Sequence, residues 1–245
     1  MMVGKLRCRR TRRCVIARAG DEIVNPRTGQ RMVFLETGEE SDGQLLRIDS
    51  YNPPAGGPEP EHVHPFQESG AVVLAGSLRF SVDGEERSVK AGESITIPAD
   101  TPHNFWNDGE EEAHAVQWFR PALKIDRFFE TFFGLAQDGK LNDKGLPSLL
   151  QLAVGVPYFG DEIRLTNPPW AIQRALFGLL APVGRMLGYR PEYPYSHGGS
   201  GEPTGREDEQ RSATFGTRGA VVIAMVLAGL FALALLRRRS HTSRR

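Results

Sequence analysis

Three histidines carry the chemistry most readily read from this chain. His62 and His64 flank a single residue in Gly56-Gly57-Pro58-Glu59-Pro60-Glu61-His62-Val63-His64. In a strand, residues i and i+2 share a face, so both imidazoles would point the same way. A third, His103, ends the stretch that runs from Gly92 through Pro98 and Asp100 to Asn107. Imidazole nitrogen is a ligand for zinc, iron, copper or nickel and, beside a carboxylate, manganese. The nearby acid is Glu68, and Ser69 follows it. No nucleophile–base pair, phosphate-binding loop or dinucleotide fingerprint accompanies these residues.

The elements that must position them read as β. Between residues 20 and 121, short apolar runs alternate with turn signals at close spacing, the pattern of an all-β sandwich or barrel. Arg31 to Glu36 is one expected strand. Leu46, Ile48 and Ser50 alternate with Arg47 and Asp49 in another. Asp83-Gly84 marks a hairpin turn. Near Pro121 the period becomes helical. Phe128, Phe129, Phe132 and Phe133 recur at three-four spacing, and a second apolar helix is expected over 147–158. A third follows Pro168-Pro169, with Ile172, Leu176, Leu179, Val183 and Met186 on one stripe, and Pro182 should kink it. These helices are expected to pack on the barrel, with a membrane interface as the alternative for the third.

Both histidine stretches resemble the motifs of the cupin superfamily, in its small single-barrel members. The first motif runs G-x5-H-x-H-x(3,4)-E-x6-G and is matched at Gly56, His62, His64 and Gly76. The second runs G-x5-P-x-G-x2-H-x3-N and is matched at Gly92, Pro98, His103 and Asn107. The resemblance implies a mainly β fold, a double-stranded β-helix (jelly-roll) barrel. It implies that His62, His64 and His103 hold a divalent metal ion (Fe, Zn, Ni or Mn) inside that barrel. The chain departs from the pattern at the acid. Counting back from Gly76 puts Ser69 where the family has glutamate, and Glu68, one residue away, should face outward unless a bulge at Gly70 turns it in. Asp100 replaces a motif glycine and should tolerate the left-handed turn. Phe80, Ile95 and Phe105 are expected to wall a pocket for a small organic molecule.

The 245 residues then divide as a basic arm (1–19), the barrel (20–121), a helical extension (122–190), a flexible linker (191–217), a transmembrane helix (218–237) and a basic tail (238–245). Gly219 to Leu236 is an unbroken apolar run of eighteen residues. At about 1.5 Å per residue it reaches roughly 27 Å, near the hydrocarbon thickness of a bilayer. The chain therefore reads as a single-pass membrane protein that contacts the lipid bilayer. Its arginine tail favours a cytoplasmic end, but no export signal precedes the barrel, so the barrel is placed on the cytoplasmic side. The formal net charge of zero gives no case for nucleic-acid binding. Cys8 and Cys14 form neither a zinc spacing nor a disulfide framework. The cupin resemblance is compatible with a homodimer. The first functional reading is a membrane-tethered protein that binds or senses a small molecule. The alternative is a metal-dependent enzyme of oxygenase or isomerase type.

Overall fold

The alternation of β3 (Leu46–Asn52) shows how the sequence builds the barrel. Leu46, Ile48, Ser50 and Asn52 are buried, while Arg47, Asp49 and Tyr51 face outward. A computed structural model describes residues 17–54, 57–143 and 145–196. The strands before and after β3 are β1 (Glu22–Val24), β2 (Arg31–Glu36), β4 (His62–Val63), β5 (Glu68–Ala75), β6 (Ser77–Val82), β7 (Glu85–Lys90), β8 (Ser94–Ile97), β9 (His103–Trp106) and β10 (Ala113–Arg120). Helices α1 (Ile125–Gln137), α2 (Leu149–Gly155) and α3 (Trp170–Met186) follow, with a short strand β11 (Arg164–Leu165) before α3.

Among the described residues the strands form two antiparallel sheets. One has the order β1-β2-β3-β10-β5-β8, the other β11-β4-β9-β6-β7. Two apolar clusters fill the interior. Ile23, Phe34, Leu46, Ile48, Phe119, Ile125 and Phe133 belong to the first, which α1 helps to build. Ala71, Val73, Leu78, Phe80, Val89, Ile95 and Ala115 belong to the second. Asp83 and Gly84 both take positive φ (51° and 80°) and join β6 to β7, as a two-residue hairpin requires.

The bulge at Gly70 that would have turned Glu68 inward is absent: Gly70 pairs in register with Thr96 and Trp118, and Glu68 is exposed. An added Cβ there would lie 2.5 Å from the Ile95 carbonyl and 2.6 Å from the Trp118 ring. The glycine serves close packing, and Ser69, Ala71 and Val73 stay on the buried face; the register against β10 shifts only at Leu74. The expected apolar stripe of α3 is not its packed face. Gln173, Ala181 and Gly184 are buried, whereas Ile172, Leu176, Leu179 and Met186 are exposed. Gln173 Nε2 donates to the Leu165 and Pro168 carbonyls, both 2.8 Å or shorter. Gly184 lies against Val154 and the Leu150 carbonyl, so its lack of a side chain lets α2 approach. The helix runs through Pro182.

Residues at one end of the expected arm and of the expected linker pack into the fold. Ala17 is buried in the first apolar cluster. Residues 191–196 lie along α1: Tyr193 N donates to Thr131 Oγ1 at 3.1 Å and Ser196 N to Gln137 Oε1 at 3.1 Å. The remainder of the arm and of the linker, and the tail, lie outside the described residues.

The single-pass membrane reading is corrected. Among the described residues no helix is long and apolar enough to cross a membrane. Helix α3, the longest of the three, has 17 residues and carries Arg174 and Arg185. The run Gly219 to Leu236, on which that reading rested, lies outside the described residues.

Candidate metal centre

Strands β4 and β9 are neighbours in the second sheet, and their register pairs His62 with His103 directly. His64 follows His62 by two residues and reaches the same space. The three ring centroids are 4.5 Å (His62–His103), 5.1 Å (His62–His64) and 5.2 Å (His64–His103) apart. One nitrogen from each ring lies within 4.8 Å of the others, and all three residues are buried.

Hydrogen bonding fixes which nitrogen each ring offers. His62 Nδ1 is 3.0 Å from the Pro60 carbonyl, His64 Nδ1 is 2.6 Å from the Glu162 carbonyl, and His103 Nδ1 is 2.8 Å from the Thr101 carbonyl. A carbonyl can only accept, so each Nδ1 carries the proton. Each neutral ring then keeps its lone pair on Nε2, the form that ligates a metal.

Electrostatics hold the rings neutral. Burial pushes His62 well below the usual imidazole range, and the like charges that His64 and His103 would carry push it further. Burial lowers His64 to about 4, against the opposing pull of the Glu162 carbonyl. Burial also lowers His103, opposed by the Thr101 carbonyl and the charge of Glu61. Three buried neutral imidazoles that converge without protons between them are a donor set suited to a divalent cation.

The structure separates Glu68 from this group. Glu68 is exposed, with Arg120 as its register partner on β10, and it is not part of the histidine cluster. Ser69, Ala71 and Val73 take the inward positions. Ser69 is the register partner of Phe119, whose ring packs edge-on against His64 at 5.2 Å. Phe80, Ile95 and Phe105 come together in the second apolar cluster, with the Phe80 and Phe105 rings stacked at 5.5 Å.

The motif residues around the histidines have structural tasks. Asp100 takes φ 59°, the left-handed conformation of the glycine it replaces, and its N–H donates to the His64 carbonyl at 2.9 Å. Asn107 Nδ2 donates to the Asn52 and Glu111 carbonyls, and its Oδ1 accepts from Gly109 N. The sequence reading missed Glu162 and Lys124. Glu162 sits beside Asp161 between apolar helices, and nothing local marks it as buried against a histidine.

The family model described as Cupin domain matches residues 51–119. The chain carries a cupin domain. That span contains all three histidines, and α1, α2, β11 and α3 lie beyond it. A probable oxidoreductase, patJ, of Penicillium expansum is 29% identical over 189 residues, covering 69% of this chain and 56% of the relative. Polyketide synthase CurC of Streptomyces cyaneus is 39% identical over 61 residues, 25% of this chain and 40% of the relative. Quercetin 2,3-dioxygenase of Bacillus subtilis (strain 168) is 32% identical over 77 residues, 31% of this chain and 23% of the relative. The chain thus spans little more than half the length of the first of these relatives and less of the others.

Proposed function

We propose that this cupin domain holds a divalent metal ion on His62, His64 and His103 and acts as an oxidoreductase on a small organic molecule. The observation that carries the reading is the convergence of three buried, neutral imidazoles, each with its Nδ1 proton directed to a backbone carbonyl. The names of two relatives, an oxidoreductase and a dioxygenase, favour redox chemistry over isomerisation. A metal ion bound there would supply a Lewis-acid centre with coordination positions left open for a substrate oxygen. The chain's own part is to orient the imidazoles and to exclude water. Phe119 packs on His64, and the Phe80, Ile95 and Phe105 side chains offer apolar wall for the substrate.

A second reading, a binding protein without turnover, is favoured by one observation. Among the described residues no carboxylate joins the histidine cluster, so no acid–base partner stands within it. Elemental analysis of the purified full chain beside the His62→Ala/His64→Ala variant tests the site. Stoichiometric metal in the first, lost in the second, is the expected result. No metal in either after reconstitution with Fe, Zn, Ni and Mn would sink both readings as metal-dependent. Oxygen uptake by the loaded protein with a panel of small phenols then separates the two. Turnover marks the enzyme, and saturable binding without uptake marks the binding protein.

A further inference from the structure

Two of the three histidines take their backbone acceptor from two residues upstream, Pro60 for His62 and Thr101 for His103. His64 does not. Its acceptor is the carbonyl of Glu162, 98 residues away and beyond the span matched to the cupin domain. The orientation of this ring therefore depends on a segment that the barrel itself does not supply.

That segment is clamped from two directions. On one side β11 pairs with β4, Leu165 opposite His62 and Arg164 opposite Val63, and Thr166 N donates to the Glu61 carbonyl at 3.2 Å. On the other side stands Lys124. Its backbone N–H donates to Glu162 Oε1 at 3.3 Å, and its ammonium lies 3.5 Å from the same oxygen. The ammonium also donates to the Tyr158 carbonyl at 3.1 Å and sits 4.3 Å from the centre of the Tyr158 ring. One lysine thus ties both ends of the turn from Tyr158 to Glu162.

The Glu162 carboxylate is otherwise poorly served. The residue is 1% exposed, and Oε2 is buried with no hydrogen-bond partner among the described residues. A buried carboxylate with an orphaned oxygen is costly. A residue kept at such a cost, whose carbonyl holds a metal-ligating ring, is explained by what it positions.

We propose that Glu162 is a positioning residue for His64: Lys124 anchors its carboxylate, and the anchored backbone carbonyl sets the tautomer and ring plane of the imidazole. This rests on the reading of the three histidines as metal ligands. In such centres the group that holds a ligand's second nitrogen contributes about 10–100-fold to metal affinity.

The test titrates the metal-free full chain with cobalt(II) alone, reading affinity and the visible ligand-field band. Glu162→Ala is expected to weaken cobalt binding by about 10–100-fold and to shift the band. Glu162→Gln keeps an oxygen for the Lys124 N–H and is expected to restore most of both. Thermal unfolding of each metal-free variant separates a loosened fold from a mis-set ligand, because a purely structural role lowers the midpoint and leaves the band in place. Where Glu162→Ala does not fold, Lys124→Met carries the same test, since it leaves Glu162 present but unanchored, and weaker binding is again expected. A Glu162→Ala or Lys124→Met protein with wild-type affinity and band overturns this proposal while the metal-centre reading stands. A wild type that takes up no cobalt overturns that reading and this proposal with it.

Discussion

His64 is almost wholly buried, and its charged form is disfavoured to the point that the ring titrates near 4 rather than near the usual 6.5. The unfolded chain protonates it first, so the unfolded state binds more protons as pH falls below 6.5. Stability tied to this residue is thus fully present above about 6.5 and lost as pH falls to about 4, a loss of about 3 kcal/mol for the metal-free protein. Urea unfolding at pH 7, 5.5 and 4 should show it as the difference between wild type and His64→Gln. Equal slopes in the two proteins would exclude it. Much of this residue-level picture was legible beforehand. The i, i+2 spacing of His62 and His64 announces a shared face, whereas His103 joined them only through the cupin resemblance, and Glu68 stayed a candidate ligand although Ser69 holds the acidic position. The acceptor of His64 was not legible, because a backbone carbonyl leaves no mark in a sequence. Whether Gly70 bulged could not be read beforehand, because a glycine gives the same letter whether it kinks a strand or admits a neighbouring ring.

At the level of elements, alternation with period two located β3, since one of its faces is buried and the other is not. Helix α1 was equally clear from its phenylalanines. Helix α3 was visible as a helix but its packed face was not, because hydrophobicity was taken to mark the inside, whereas here a glutamine and a glycine do. The segment 191–196 shows the same limit: its composition reads as linker, yet it lies along α1. Gly134 of α1 tests that contact. In a helix interior alanine is worth about 1 kcal/mol over glycine, so Gly134→Ala would stabilise an uncovered helix. Here the new Cβ would stand 2.6 Å from the Pro194 carbonyl and 3.1 Å from its carbon. Overpacking of this kind costs about 1–3 kcal/mol, so the substitution is expected to lower the melting temperature and to expose the chain near Pro194 to protease. A raised melting temperature with unchanged proteolysis would mean that the segment does not cover α1.

On the scale of the whole molecule, the site joins parts that are distant in sequence. His62 sits on β4 with His64 just beyond its end, His103 on β9, and the holder of His64 lies in the turn before β11. A ligand that binds only the folded arrangement stabilises it by RT ln(1 + [L]/Kd), about 2.7 kcal/mol at a hundredfold excess over Kd. Because β11 is paired to β4 and the Glu162 carbonyl to His64, that stabilisation should reach beyond the cupin span. Backbone amides that bond across this junction, such as Thr166 N on the Glu61 carbonyl, report on it. Hydrogen exchange of the full chain with and without saturating metal should therefore slow at Thr166 as well as along β4 and β9. The His62→Ala/His64→Ala variant should show neither the thermal shift nor the slowing. Protection confined to the barrel strands, with residues 158–166 unchanged by metal, would mean that the C-terminal helices merely accompany the cupin domain. Protection that includes Thr166 would make the extension part of the metal centre, because the two strands and the turn would then open only together.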